Sequence, residues 1–239
     1  MHLLGILLTV MSLAPATPAS YDEPRGPLSG RVVTIDPGHQ LGNRNFPRRV
    51  NALVPDGRGG RKACNTTGTA TDGGYPEATF TWQTARALRA RLERLGATVR
   101  MTRQVNSDHR WGPCVDARGR AGNRADADVF VSIHADGNLA PGARGFHVAY
   151  VPGRGDLGLA RVTRDALSRR VPVSTYIGGG TGLSARTDLA TLNFSRVPTV
   201  LVELGNMRDR QDAHRMTTPG GRSAYAAALA AAVRRYLTS

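Results

Sequence analysis

Val129-Phe-Val-Ser-Ile133, running straight into His134-Ala-Asp136, is the stretch that decides the fold. Five consecutive residues, four of them apolar and mostly β-branched or aromatic, describe a strand buried on both faces, which is the signature of a sheet covered by helices on each side. Working outward, Val32-Val-Thr-Ile35 runs into Asp36-Pro-Gly-His39, and Thr199-Val-Leu-Val202 runs into Glu203-Leu-Gly205. Each apolar run therefore ends on a residue that can bind a metal or move a proton. Between the runs lie helical patterns. In Glu77 to Leu95, Phe80, Thr84, Leu88, Leu92 and Leu95 recur at helical spacing and Gly96 supplies the stop. Strand-like segments are also expected at 97–102 and 146–151, and helices at 116–126, 157–169 and 223–237. The expectation is an α/β single domain with a mostly parallel, twisted central sheet and helices on both faces.

Composition bounds the rest. The chain has 239 residues, 40% hydrophobic and 21% charged, enough for one sizeable core. Basic residues number 32 against 18 acidic, a formal net charge of +14. Lys62 is the sole lysine, so arginines spread through folded segments carry the charge. That implies an anionic partner without choosing it. Nucleic acid is disfavoured, because aromatics are only 5% of residues and stacking platforms are scarce.

Leu3 to Leu13 is an apolar run too short to span a bilayer, followed by Ala14-Pro15-Ala16 and Thr17-Pro18-Ala19, both acceptable to export peptidases. Residues 1–19 thus read as a signal peptide, 20–30 as a linker and 31–239 as the folded domain, exported and with no stable membrane insertion. In an exported chain the two cysteines, Cys64 and Cys114, are expected to pair. The stretch 40–76 is unusually long and irregular and is expected to be functional, with a hairpin inside it and Cys64 tying it down.

In open α/β sheets ligands bind beyond the carboxyl ends of the strands. His39, His134 and Glu203 are all delivered to that edge, and Glu77 opens the best helix. Histidine and carboxylate are the donors that zinc uses where three protein ligands leave one position free. Gly153-Arg-Gly-Asp-Leu-Gly158 has the G-x-G-x-x-G form, but Pro152 interrupts its approach and no acid follows at the expected offset, so it reads as a strand-to-helix turn.

At these residues the sequence resembles the zinc-dependent N-acetylmuramoyl-L-alanine amidases, the Amidase_3 family of peptidoglycan hydrolases. Ile35-Asp-Pro-Gly-His39, Glu77 at a helix start, Val131-Ser-Ile-His134-Ala-Asp136 and Pro198-Thr-Val-Leu-Val-Glu203-Leu-Gly205 carry the resemblance, in the family's order, across residues 31 to about 238. It implies that His39, Glu77 and His134 bind Zn2+, that Glu203 is the catalytic carboxylate, and that peptidoglycan or muramoyl peptides are the substrate of a monomeric enzyme. There are two departures. The 40–76 segment is longer than usual and is expected to cover part of the cleft or to shape substrate entry, and Asn193 stands where many members have arginine, with Arg186 nearby. The competing readings are another exported zinc hydrolase, either a carboxypeptidase or a deacetylase, and a basic wall-polymer-binding module without catalysis.

Overall fold

The computed structural model describes residues 26–239, so the proposed signal peptide lies outside the described residues. Strands form at β1 (Val32–Pro37), β2 (Leu53–Pro55), β3 (Arg61–Ala63), β4 (Thr98–Met101), β5 (Val129–Asp136), β6 (His147–Tyr150), β7 (Leu183–Ala185) and β8 (Thr199–Asn206). Helices form at α1 (Pro47–Val50), α2 (Glu77–Arg94), α3 (Val115–Gly119), α4 (Ala121–Arg124), α5 (Asp156–Ser168), α6 (Ala190–Asn193), α7 (Arg210–Thr217) and α8 (Pro219–Leu237). Six strands make the central sheet in the order β4-β1-β5-β8-β6-β7, and β2-β3 is a separate hairpin.

β1, β4, β5 and β8 run parallel, whereas β6 pairs antiparallel with β8. The reason lies in the chain between β5 and β6. Only residues 137–146 separate them, and a parallel return needs a crossover of about a dozen residues or more, usually through a helix. The chain turns back instead.

α2, α5 and α8 cover one face and α3, α4 and α6 the other. In α2, Phe80, Thr84, Leu88 and Leu92 are all buried, one residue per turn along the stripe that meets the sheet. Burial of a leucine side chain is worth about 1.5–3 kcal/mol, so this stripe fixes the helix and with it the place of Glu77. α8 starts at Thr218, whose hydroxyl accepts from the Gly221 N–H, with Pro219 in the first turn. The second face carries a smaller cluster of Ala149, Val151, Leu192 and Leu201.

Part of the segment expected to be a linker packs into the core. Leu28 is fully buried, and its N–H donates to the Leu95 carbonyl at the end of α2 (2.8 Å). The Gly153–Gly158 motif is a turn from β6 into α5, where Gly155 is the helix cap and the Asp156 carboxylate accepts from the Thr199 N–H (3.1 Å).

The long 40–76 segment is ordered. It holds a short 3-10 turn, α1 and the β2-β3 hairpin. Cys64 is bonded to Cys114, and the Val115 N–H donates to the Cys64 carbonyl (2.7 Å). The Asn193 side-chain amide links this hairpin to the β7–α6 connection, donating to the Asp56 carbonyl (2.9 Å) and the Thr187 carbonyl (3.0 Å). Lys62 Nζ adds a bond to the Asp188 carbonyl (2.9 Å).

Candidate active site

β5 and β8 continue past their apolar runs, so His134 and Glu203 are strand residues that face each other in register. His39 follows β1 with φ of 58°, a left-handed conformation that turns its ring back over the sheet edge. Gly38 makes room for this arrangement, since a Cβ there would lie 2.3 Å from the His134 ring. Gly68 (φ 75°) does the same on the other side, where a Cβ would fall 2.8 Å from Glu77 Oε2 and 2.9 Å from the His39 ring.

The four predicted residues meet. Glu77, buried at the start of α2, spans both imidazoles: Oε2 lies 3.1 Å from His39 Nε2 and Oε1 lies 3.1 Å from His134 Nδ1. The Ala135 and Thr69 N–H groups donate to the same carboxylate, each at 3.0 Å. Burial alone would raise the Glu77 pKa, but His39 and His134 lower it well below the carboxylate range. His39 shows the reverse: burial opposes its charged form, yet the Glu77 charge raises it above the ordinary imidazole value. The His39 Nδ1 edge meets the Thr66 carbonyl (3.1 Å), a contact that sets the tautomer and turns Nε2 toward Glu77.

Glu203 differs in kind. It is half-buried, and its Oε2, shielded from solvent, has no hydrogen-bond partner among the described residues. Burial, then the Asp136 and Glu77 carboxylates, push its pKa well above the carboxylate range, with the Arg186 charge opposing them. Arg186 itself is held by both Asp188 oxygens at 2.7 Å.

Behind the Asp36–His39 turn sit two buried arginines that sequence reading left unassigned. Arg118 donates to Asp36 Oδ1 (2.5 Å), the Pro37 carbonyl (2.9 Å), the His39 carbonyl (2.7 Å) and the Pro113 carbonyl (2.9 Å). Arg103 donates to the Pro37 carbonyl (3.0 Å) and the Ala78 carbonyl (2.8 Å), tying this turn to the start of α2. Burial, followed by the Arg118 charge, lowers the Arg103 pKa to about 9.

Does this donor set fit a metal? One ligand atom each from His39, Glu77 and His134 lie within 4.8 Å of one another. Tetrahedral zinc, with bonds of about 2.0–2.1 Å, separates neighbouring donors by about 3.3 Å, close to the 3.1 Å contacts here. Two imidazoles and a carboxylate, with His39 braced at its other nitrogen, are chemically suited to such an ion. The residues fit. They line a cleft of about 380 Å³ together with Lys62, Thr66, Asp136 and Glu203.

The family model described as N-acetylmuramoyl-L-alanine amidase matches residues 33–235. This chain belongs to the N-acetylmuramoyl-L-alanine amidase family. An N-acetylmuramoyl-L-alanine amidase of Mycobacterium tuberculosis is 41% identical to it, over 99% of this chain and 98% of the relative. The amidase Ami1 of Mycobacterium smegmatis superposes with a TM-score of 0.82 at 42% identity, covering 88% of this chain and 98% of that one. The apo form of Ami1 from Mycobacterium abscessus gives 0.82 at 47% identity, covering 87% and 99%. The amidase described here is thus a hydrolase of peptidoglycan that cleaves the bond between N-acetylmuramic acid and L-alanine.

Proposed function

We propose that the amidase is a zinc enzyme in which His39, Glu77 and His134 hold the ion and Glu203 moves the proton. The observation that carries the proposal is the buried Glu77 carboxylate placed 3.1 Å from both imidazoles, an anionic chelating set on a fixed scaffold. Zinc, when bound, supplies Lewis acidity and makes water nucleophilic near neutral pH.

The chain's own residues do the rest. Asp36, Arg118 and Arg103 hold the backbone around His39, and the Thr66 carbonyl orients its ring. Glu203 lines the cleft beside the three ligands and its carboxylate is committed to no hydrogen bond among the described residues, so it is placed to accept the proton of the attacking water. The same carboxyl group can then pass that proton to the amide nitrogen, which leaves poorly as an anion. Cys64–Cys114 supports export to an oxidising compartment, and no helix among the described residues is long and apolar enough to cross a membrane. We take the enzyme to act as an exported monomer.

Two substitutions separate the roles. Glu203→Ala is expected to abolish release of stem peptide from peptidoglycan while the protein still binds one zinc, and His134→Ala to lose both. Wild-type turnover by Glu203→Ala, followed by mass spectrometry of the digest, would remove Glu203 from the mechanism. Loss of a terminal residue or an acetyl group in the same spectra would point to a carboxypeptidase or a deacetylase instead.

A further inference from the structure

The cleft holds a second carboxylate to which the steps above give no task. Asp136 is the last residue of β5, two beyond His134, and it lines the same cleft as Glu203. Its side chain is 26% exposed. From behind, one oxygen is held by a single hydrogen bond: the Tyr176 hydroxyl donates to Oδ2 at 2.7 Å, while His147 Nδ1 lies 3.4 Å from that same atom without bonding to it. Oδ1 makes no hydrogen bond among the described residues.

The backing is built into the sheet. His147 is buried on β6 and stands opposite Glu203, which in turn stands opposite His134. The three therefore form one transverse row across β5, β8 and β6. Tyr176 is kept in its protonated, donating form, because burial and then the bond to Asp136 raise its pKa. A carboxylate fixed on one oxygen and open on the other is poised to meet a cation in the cleft.

The reaction generates one. Hydrolysis of the muramoyl amide by water yields a carboxylate and an amine, and at neutral pH both water protons end on the nitrogen. An α-amino group has a pKa of about 7.7–8.0, so the stem peptide departs as an ammonium. Glu203 carries a proton until it delivers it to that nitrogen, so it is not an anion when positive charge begins to develop there. Asp136 has no such duty.

We propose that Asp136 receives the departing L-alanine ammonium through its open oxygen, with Tyr176 as the positioning residue that holds the other. This rests on the amidase reading with Glu203 as proton carrier, and extends it by naming what grips the leaving group.

The test uses binding, read separately from turnover. The full-length protein is titrated calorimetrically with L-alanyl-γ-D-glutamate and with its N-acetylated form. Wild type is expected to bind the free amine about 10-fold or more tightly than the acetylated peptide, in keeping with a charge-assisted hydrogen bond. Asp136→Asn is expected to bring the two within about 2-fold by weakening only the free amine, since one charged contact is all that distinguishes the peptides. Tyr176→Phe, which leaves the carboxylate but removes its brace, is expected to fall between, and serves if Asp136→Asn does not fold. Glu203→Gln should keep the preference. A merely structural Asp136 would weaken both peptides alike. The assignment is overturned if wild type shows no preference, if Asp136→Asn keeps it, or if Glu203→Gln alone removes it. Failure of the parent reading looks different: turnover by Glu203→Ala refutes the proton carrier and leaves the peptide preference untouched.

Discussion

Replacing Arg118 by methionine removes a guanidinium that is 2% exposed and leaves Asp36, fully buried, with only its hydroxyl partners Thr102 and Ser132. It also strips a donor from the carbonyls of Pro37, His39 and Pro113. Removing one partner of a buried ion pair costs about 3–5 kcal/mol. For a domain of this size each kcal/mol shifts Tm by about 2–4 °C, so a fall of about 6–20 °C is expected. The loss should depend on pH. In wild type, burial would raise the Asp36 pKa, but Arg118 chiefly, with His134 and the two hydroxyls, holds it below the usual carboxylate value. A depressed folded-state pKa contributes stability that is present above the unfolded value and is lost as pH falls through the folded one. Without Arg118 burial dominates, and Asp36 takes up a proton on folding at moderately acidic pH. Urea titrations of both proteins should therefore differ by the full amount at pH 8 and converge toward pH 4. A second readout follows from the His39 carbonyl: outer-shell partners are worth about 10–100-fold in metal affinity, so zinc binding should weaken by that order. A loss of under about 1 kcal/mol, or one of equal size at both pH values, would refute the reasoning.

Other predictions follow from the same structure. Cys64→Ser with Cys114→Ser opens a loop of sequence separation 50 and should cost at most about 4 kcal/mol by loop-closure entropy, seen as a lower urea midpoint that reducing agent reproduces in wild type. Asn193→Ala removes the amide bond to the hairpin at Asp56 and the one to Thr187. It should cost about 1–2 kcal/mol and accelerate native-state trypsin cleavage after Arg58 or Arg61, with peptide mapping as the check. Gly38→Ala places a methyl group against the His134 ring and should lower zinc affinity while circular dichroism stays unchanged.

Much of this was legible in the sequence because buried strands announce themselves. β1, β5 and β8 are short apolar runs ending in Asp-Pro-Gly-His, His-Ala-Asp and Glu-Leu-Gly, and the sheet brings those ends to one edge. The even cysteine count anticipated the Cys64–Cys114 bond. α7 was missed because only Asp212 and Met216 of its eight residues are buried, leaving no apolar stripe to detect. β7 has three residues and no pattern. The reversed direction of β6 follows from a connection too short for a crossover, a cue present in the spacing of residues 137–146. Arg118 and Arg103 left no trace, since among so many arginines nothing in the sequence marks the two that are buried. Asp36 was visible only as a letter in the Asp-Pro-Gly-His run, although an acid ending a buried strand implies a cation nearby.

The arrangement at the sheet edge is most directly tested by counting zinc per chain, by elemental analysis after loading with zinc and exhaustive removal of the free ion. One equivalent in wild type and in Glu203→Ala, and none in Glu77→Ala, is the predicted result. A full equivalent retained by Glu77→Ala, or none held by folded wild type, would contradict the assignment of His39, Glu77 and His134 as the binding set.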